Sequence, residues 1–191
     1  MEAEQLRAAK KGNQEAIAAI IETYQRPVFN LCYRMLGNRM EAEDIAQEAL
    51  IKAITKLHLF DPSYSFKPWV LRIASNTCID CLRRRKPEPS LDDMGEDGAW
   101  EWFPGHSPNP EREVMKQEQQ SQVQDAVAQL QPLDRTVVAL FYWEGLSYAD
   151  ISEVTDLTVS AIKSRLYRAR RAMAEHLTQE AIHVQSYTQH A

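Results

Sequence analysis

Apolar residues recur every three to four positions along most of this 191-residue chain, which is the spacing of one face of an α-helix. The clearest run covers residues 42–57, where alanine, isoleucine and leucine keep the spacing for four turns. Comparable runs cover residues 17–36 and 66–82, so we predict three helices in the first half of the chain. Pro27 lies inside the first run and predicts a kink or a new helical start, whereas Gly37 is expected to end it.

The C-terminal half contains a different arrangement, because only a short turn separates its last two helical patterns. Residues 147–150 (Ser-Tyr-Ala-Asp) resemble a capping box with Asp150 in place of Glu, and they open a helix that ends near Val154. Thr158 suits the N-cap of the long helix that follows. Two helices of unequal length, a short turn and a basic second helix are typical of a helix-turn-helix. The buried stripe of the second helix comprises Ile162, Leu166, Ala169 and Met173.

Between these two parts the helical periodicity stops. Residues 87–112 hold five of the nine prolines and three of the six glycines, which predicts a flexible linker. The aromatic residues Trp100, Trp102 and Phe103 within it are expected to pack against another surface, which is more often the chain's own core than a partner. The predicted fold class is all-α, with helical domains at 1–86 and 113–177, the linker at 87–112 and a C-terminal tail at 178–191.

Charge is distributed unevenly along the chain. The net charge of −5 would repel a polyanion, and residues 87–112 contribute seven acidic side chains against one basic side chain. Two patches have the opposite sign: residues 83–86, and the basic residues between 163 and 171. These patches are candidate nucleic-acid contacts, although a basic run is also what a solvated helix face shows.

The composition argues against several other classes of protein. Three cysteines are too few for a disulfide framework, and no apolar run or leader suggests a membrane or secreted protein, so we expect a cytoplasmic chain. No phosphate-cradle, nucleophile-elbow or metal-ligand motif is present, so no cofactor, metal or catalytic residue is predicted. Cys78 and Cys81 form a CxxC pair, but both fall on the apolar stripe of a helix, which favours core packing over redox chemistry.

Two helix faces carry further candidate residues. Asp44, Gln47, Glu48 and Ile51 lie opposite the apolar stripe of residues 42–57; this is either an ordinary solvated face or, because of the isoleucine, a contact patch. The helix over residues 66–86 has a polar face beside Trp69 that suits base stacking and contacts to phosphate. The alternative for that face is a surface Asp80–Arg84 pair with Trp69 in the core. Its polar residues are Arg72, Asn76, Asp80, Arg83 and Arg84.

Three blocks of sequence resemble a known family and occur in its order. They are EAEDIAQEALIKAI at 41–54, FKPWVLRIASNTCIDCLRRRK at 66–86, and LQPLDRTVVALFYWEGLSYADISEVTDLTVSAIKSRLYRARRAM at 130–173. From about residue 10 to residue 175, the chain resembles the extracytoplasmic-function branch of the sigma-70 family of bacterial RNA polymerase sigma factors. The resemblance implies region 2 in residues 1–86 and region 4 in residues 113–177. It also implies an alternative sigma factor without a catalytic site of its own.

The resemblance implies partners and binding surfaces. Asp44, Gln47, Glu48 and Ile51 would bind the clamp helices of the largest subunit of core polymerase, and residues 133–143 would contact its flap. The minus-10 promoter element would be recognised and melted by Phe60, Tyr64, Trp69, Arg72, Asn76, Asp80, Arg83 and Arg84. The minus-35 element would be contacted by the helix-turn-helix at 147–171, through Ser160, Ala161, Lys163, Ser164, Arg165, Arg168 and Arg171. An anti-sigma factor, often membrane-bound, would regulate the protein.

The sequence departs from the family pattern at three positions. Asp156 occupies a turn position where the family commonly has glycine, and aspartate tolerates the left-handed conformation. Ser160-Ala161 replaces the usual Gly-Thr at the start of the recognition helix, which affects the expected base contacts. Leu50 stands where an aromatic residue is usual.

An energy estimate argues that such a chain does not open promoters alone. Separating about ten base pairs costs roughly 14 kcal/mol, at about 1.4 kcal/mol per stacked step. Each base captured on an aromatic side chain returns only about 1–3 kcal/mol. The two alternatives are a stand-alone helix-turn-helix repressor or activator, and a thiol-redox enzyme using Cys78 and Cys81.

Overall fold

The N-terminal part of the chain folds into a series of helices, each with an apolar stripe on one face, and capping residues separate several of them. A computed structural model describes residues 2–84 and 120–188. In the first of these ranges the elements are α1 (Glu2–Lys10), α2 (Gln14–Leu36), α3 (Arg39–Thr55), a 3₁₀ helix (Leu57–Leu59) and α4 (Phe66–Arg84). Asn13 caps α2, since its side-chain oxygen accepts a hydrogen bond from Ala16 N at 2.9 Å.

The second described range is also helical. It contains α5 (residues 120–128), α6 (Pro132–Tyr142), α7 (Tyr148–Thr155) and α8 (Val159–Thr188). Across residues 2–84 and 120–188 no strand is present, so the predicted all-α fold class is confirmed. Helix α8 continues well into the segment predicted as a C-terminal tail.

The end of α2 shows how the sequence divides one helix from the next. Gly37 has a φ of 78° and donates its N–H to Tyr33 O at 2.9 Å, which is the predicted helix stop. Asn38 then caps α3, accepting from Glu41 N at 2.9 Å. Pro27 starts no new helix, because α2 runs through it. Burial of the neighbouring Tyr24 and Val28 offsets the hydrogen bond that proline removes.

A continuous apolar core joins the two described parts of the chain. Helix α2 packs against α3, α4 and α6, and α4 also packs against α7. The core includes fully buried Leu31, Met35 and Leu71 from the first part and Leu140 and Ile151 from the second. The two predicted domains therefore contact each other directly, which helical periodicity alone does not indicate.

Some predicted features lie outside the described residues. The linker at 87–112, with Trp100, Trp102 and Phe103, is among them, as are the first residues of the helical domain predicted at 113–177. Within the part of the chain that is described, no helix has both the length and the apolarity that a membrane crossing requires.

Candidate nucleic-acid interface

The helix-turn-helix forms through the predicted local signals. Ser147 Oγ accepts from Asp150 N at 3.1 Å, while the Asp150 carboxylate accepts from Ser147 N at 3.1 Å, so the capping box is present. Asp156 closes α7 in the left-handed conformation, with a φ of 57°. Thr158 Oγ1 then accepts from Ala161 N at 3.2 Å at the start of α8. These bonds define where α7 begins and ends and where α8 begins, which is the helix, short turn and helix order of a helix-turn-helix.

The recognition helix α8 has a buried stripe and an open polar face. Ile162, Leu166 and Ala169 are buried, as predicted, while Met173 is partly buried against the core. Tyr167 is 58% exposed on the same face as Lys163 and Ser164, and sequence reasoning missed it. Tyr167 stands four residues after Lys163 and three after Ser164, and this spacing places all three on one helix face. The spacing was visible in the sequence and could have identified Tyr167. The predicted residues that are exposed on α8 are Ser160, Lys163, Ser164, Arg168 and Arg171, and Ala161 is half-buried.

Arg165 has a different environment from the other predicted residues of α8. Its Nη1 atom donates to Asp134 Oδ1 at 2.7 Å, and both side chains are largely buried. The pair joins α8 to α6. The structure therefore gives Arg165 an intramolecular partner, where the resemblance assigned it to DNA.

Helix α4 exposes a polar row along one side. Asn76, Asp80, Arg83 and Arg84 are all exposed, in the last two and a half turns of the helix. Asp80 lies 3.9 Å from Arg83 Nη1, and Arg84 Nε donates to the carbonyl oxygen of Asp80 at 3.3 Å. The Asp80 carboxylate therefore pairs with Arg83 and not with Arg84, the partner that the sequence alternative named. Such exposed ion pairs contribute little to folding stability.

An aromatic cluster supports the loop before α4. The ring centroid of Phe60 lies 5.1 Å from that of Phe66 and 5.2 Å from that of Trp69. Phe60 is only 3% exposed, so it belongs to the core and holds Trp69 in place. Tyr64 is exposed at the rim of an open groove that Trp69 and Arg72 also line. Tyr64 of the loop is therefore exposed, and Trp69 of α4 is half-buried with its ring packed against Phe60.

Helix α3 presents a mixed acidic and apolar surface. Asp44 and Gln47 are exposed, Ile51 is 67% exposed, and Glu48 forms an ion pair with Lys52 at 2.6 Å. Met40 is 77% exposed on the same face and was missed in the sequence, although it stands four residues before Asp44. We name the surface of Met40, Asp44, Gln47, Glu48 and Ile51 the α3 patch. Two large exposed apolar side chains among acids are typical of a protein-binding surface.

Of the two cysteines predicted to be in the core, Cys78 is buried as predicted, whereas Cys81 is only partly buried at the edge of the core. Cys32 and Cys78 are fully buried, and a hydrogen bond to Cys32, together with burial, raises the pKa of Cys78. Burial also raises the pKa of Cys81, whose Sγ atom donates to Glu41 Oε1 at 3.1 Å. A raised pKa disfavours the nucleophilic thiolate, which argues against a thiol-redox enzyme. Within residues 2–84 and 120–188, no cluster of His, Cys, Asp and Glu has the spacing of a metal site.

Comparisons with known proteins agree with this geometry. The family model of Sigma-70 region 2 matches residues 20–88, and that of Sigma-70 region 4 matches residues 120–173. The fold and its two matched regions therefore define a protein of the sigma-70 class. The chain is 38% identical to the ECF RNA polymerase sigma factor SigW of Bacillus subtilis, over 90% of this chain and 94% of that protein.

Two solved structures share the fold. CnrH, in complex with the cytosolic domain of CnrY, is 21% identical with a TM-score of 0.68, covering 93% of this chain and 97% of that one. RpoE of Bartonella quintana, in complex with the anti-sigma factor NepR, is 19% identical with a TM-score of 0.63, covering 84% and 96% respectively. The chain belongs to the extracytoplasmic-function (ECF) family of RNA polymerase sigma factors. It is an alternative sigma factor, the specificity subunit that directs core RNA polymerase to promoters.

Proposed function

We propose that three surfaces of this sigma factor divide the work of promoter-specific initiation. The observation that carries the proposal is that the side chains of α3, α4 and α8 that are not needed for the core form three separate polar surfaces. Two of these surfaces are cationic and contain hydrogen-bonding or aromatic groups, as nucleic-acid binding requires. The third is the α3 patch, whose composition suits a protein partner.

The α3 patch is proposed to bind the clamp helices of the largest polymerase subunit. Ile51 and Met40 supply apolar area that is exposed in the free chain, so its burial against a partner is favourable. Asp44, Gln47 and Glu48 supply the polar rim. Near α6, exposed Tyr142 and Trp143 are proposed to contact the polymerase flap, while Val137, Val138 and Leu140 of the same stretch are buried and hold α6 in the core.

The α4 surface is proposed to bind and melt the minus-10 element. The exposed ring of Tyr64 and the half-buried ring of Trp69 offer surfaces on which unpaired bases stack, and Phe60 supports Trp69 from the core. The polar row offers an amide for a base edge and guanidinium groups for phosphates. The proposed contact residues are Tyr64, Trp69, Arg72, Asn76, Asp80, Arg83 and Arg84.

The α8 surface is proposed to enter the major groove of the minus-35 element. Residues in the first turns of a recognition helix contact base edges, while basic residues further along contact phosphates. Arg165 is proposed as a positioning residue, since Asp134 holds it. The proposed contact residues are Ser160, Ala161, Lys163, Ser164, Tyr167, Arg168 and Arg171.

The proposed setting is the cytoplasm, where core polymerase and DNA are found. An anti-sigma factor is a further proposed partner. This is supported by RpoE, which shares the fold of this chain and was solved in complex with the anti-sigma factor NepR. Most of the energy for opening DNA is proposed to come from the polymerase. The estimated cost of about 14 kcal/mol exceeds what a few stacked bases return.

Run-off transcription with core polymerase on a promoter library tests this proposal. Wild-type protein should select start sites, and the pair Asp44→Arg/Glu48→Arg should lose both polymerase binding and start-site selection. Glu22→Arg reverses an exposed charge on α2 and should behave as wild type. Start-site selection that survived the paired reversal would contradict the role of the α3 patch.

A further inference from the structure

The proposed minus-10 surface contacts the helix-turn-helix where α4 meets the end of α7. Arg72 Nη1 donates to the carbonyl oxygen of Glu153 at 2.9 Å, and Arg72 Nη2 donates to the carboxylate of Asp156. The guanidinium thus has two oxygen acceptors side by side. This fork is the geometry in which arginine binds a phosphate group.

The end of α7 is suited to hold a cation. The last carbonyl groups of a helix carry the negative end of the helix dipole. Asp156 adds a full negative charge at the C-cap, where its φ is 57°. Glycine adopts this conformation without strain, so the turn itself does not require a carboxylate. The negative charge of Asp156 is therefore available for an additional role, which is its contact with Arg72.

Further contacts hold the two regions in the same closed arrangement. Lys67 Nζ donates to the carbonyl oxygen of Glu144 at 2.9 Å and lies 3.1 Å from its carboxylate, which is 5% exposed. At the other end of the interface, Gln124 accepts from Arg34 Nη1 at 3.0 Å, and Arg135 Nη1 donates to Met35 O at 3.0 Å. Arg72–Asp156 is therefore the exposed edge of a larger interface.

This closed arrangement is incompatible with simultaneous binding of both promoter elements. The elements are about 25 base pairs apart, which corresponds to about 85 Å of B-form DNA at about 3.4 Å per base pair. Arg72 and Asp156 are in hydrogen-bond contact. The contact between α4 and α7 must therefore break before both surfaces bind one promoter.

We propose that Asp156 is an intramolecular phosphate mimic that occupies Arg72 in the free sigma factor. The carboxylate competes with the single-stranded minus-10 DNA for Arg72, and the competition ends when core polymerase separates regions 2 and 4. This inference rests on the proposed role of Arg72 in minus-10 binding.

The test compares Asp156→Asn with wild type, since asparagine keeps the side-chain shape and tolerates the left-handed conformation. Glu22→Gln removes the same charge from an exposed site on α2 and is the matched control. The probe is a fluorescein-labelled single strand copied from the minus-10 region of a promoter recovered by run-off selection. Fluorescence anisotropy is measured with the free full-length chain and with the reconstituted holoenzyme.

Asp156→Asn should tighten binding of the probe to the free chain by up to about fivefold, the range expected for an exposed ion pair. In the holoenzyme it should bind as wild type does, because the regions are already apart. Equal affinities of Asp156→Asn and Glu22→Gln for the probe in the free chain would overturn the proposal.

A second variant separates failure of this inference from failure of the proposed function. Arg72→Ala should raise amide hydrogen exchange at residues 153–157 in the free chain, because the contact is lost, and weaken probe binding in the holoenzyme. Unchanged exchange would overturn the closed contact. Raised exchange with unchanged holoenzyme binding would uphold the contact and contradict the minus-10 role of Arg72.

Discussion

The two cationic surfaces of this sigma factor differ in what they contact within the chain. The α8 surface faces solvent along Ser160, Lys163 and Ser164, and its largely buried basic residue, Arg165, is held by Asp134 inside region 4 itself. The α4 surface is open at Asn76 but is engaged by region 4 at Arg72. Both surfaces offer basic and hydrogen-bonding side chains. Those on α8 are mostly open to solvent, whereas Arg72 on α4 is already bound by region 4. On the proposed assignment, the free chain presents its minus-35 surface, and its minus-10 surface becomes fully accessible only when the regions separate.

Helix α4 is held against region 4 by one ion pair with a buried carboxylate and by one exposed ion pair. Lys67–Glu144 has a carboxylate removed from water, whereas both partners of Arg72–Asp156 are substantially exposed. Exposed ion pairs contribute about 0–1 kcal/mol, while removing one partner of a buried pair costs several times more. The interior contacts therefore hold the regions together, and the exposed one is easily exchanged for another anion.

The largest expected effect comes from deleting core volume that both regions share. Leu140 of α6 is fully buried, so Leu140→Ala should lower the free energy of unfolding by about 2–5 kcal/mol. Because α6 packs on α2, amide exchange should increase in both described parts of the chain. Urea denaturation and hydrogen exchange measure these effects. Loss of protection confined to α6, α7 and α8 would show that the regions unfold independently.

A smaller effect is expected from removing the cation beside Glu144. Lys67→Met leaves a buried carboxylate without its nearest partner, and should cost about 1–3 kcal/mol because Lys67 is itself partly exposed. Lys56→Met removes the same charge from an exposed position and should change stability by less than about 0.5 kcal/mol. Equal urea midpoints for the two variants would mean that the buried pair does not stabilise the closed form.

The open α8 surface should be sensitive to salt. Arg168→Ala should weaken binding of the full-length chain to a minus-35 duplex by about 1 kcal/mol and reduce the slope of log K against log salt by about 0.9. Lys56→Ala should leave the slope unchanged. A slope that is the same in wild type and Arg168→Ala would exclude a phosphate contact at Arg168.

The smallest effect is the pH dependence of Glu144. Burial raises the pKa of its carboxyl above the ordinary 4.5, although Lys67 and Arg26 oppose the shift. Between the ordinary and the raised pKa, the folded chain binds more protons than the unfolded chain, so this group's contribution to stability falls as pH rises. Glu144→Gln should be within about 1 kcal/mol of wild type at pH 7.

Comparing wild type with Glu144→Gln at several pH values tests the raised pKa of Glu144 directly. On lowering the pH from 7 toward 5, wild type should gain stability relative to Glu144→Gln, since the variant cannot take up the proton. Urea unfolding at each pH gives the difference. A difference that stayed constant with pH would show that the Glu144 carboxyl keeps its ordinary pKa in the folded chain.

Much of the fold was predictable because its signals are local. The stops and caps at Gly37, Ser147, Asp156 and Thr158 depend on residues within four positions, and each is confirmed. The continuity of α2 through Pro27 was not predictable in this way. Tertiary burial on both sides of the proline decided it.

The candidate site was predictable as a set of helix faces, but the environment of individual residues was not. Ile51 stands off its apolar stripe and is exposed, as periodicity predicted. Phe60 and Arg165 were assigned to DNA, yet they lie in the core and in an ion pair, because their partners come from other elements. Met40 and Tyr167 carried a helical spacing that the sequence reasoning missed.

The sequence by itself determined the helices, their caps, the helix-turn-helix and the family, because these depend on short-range spacing and on residue types in order. Only the tertiary structure decided that Lys67 meets Glu144 and Arg72 meets Asp156, partners that are 77 and 84 positions apart. No local pattern encodes such pairs. They form because the shared apolar core packs α4 against α7, which places charged side chains at the edge of the core within hydrogen-bond distance of each other.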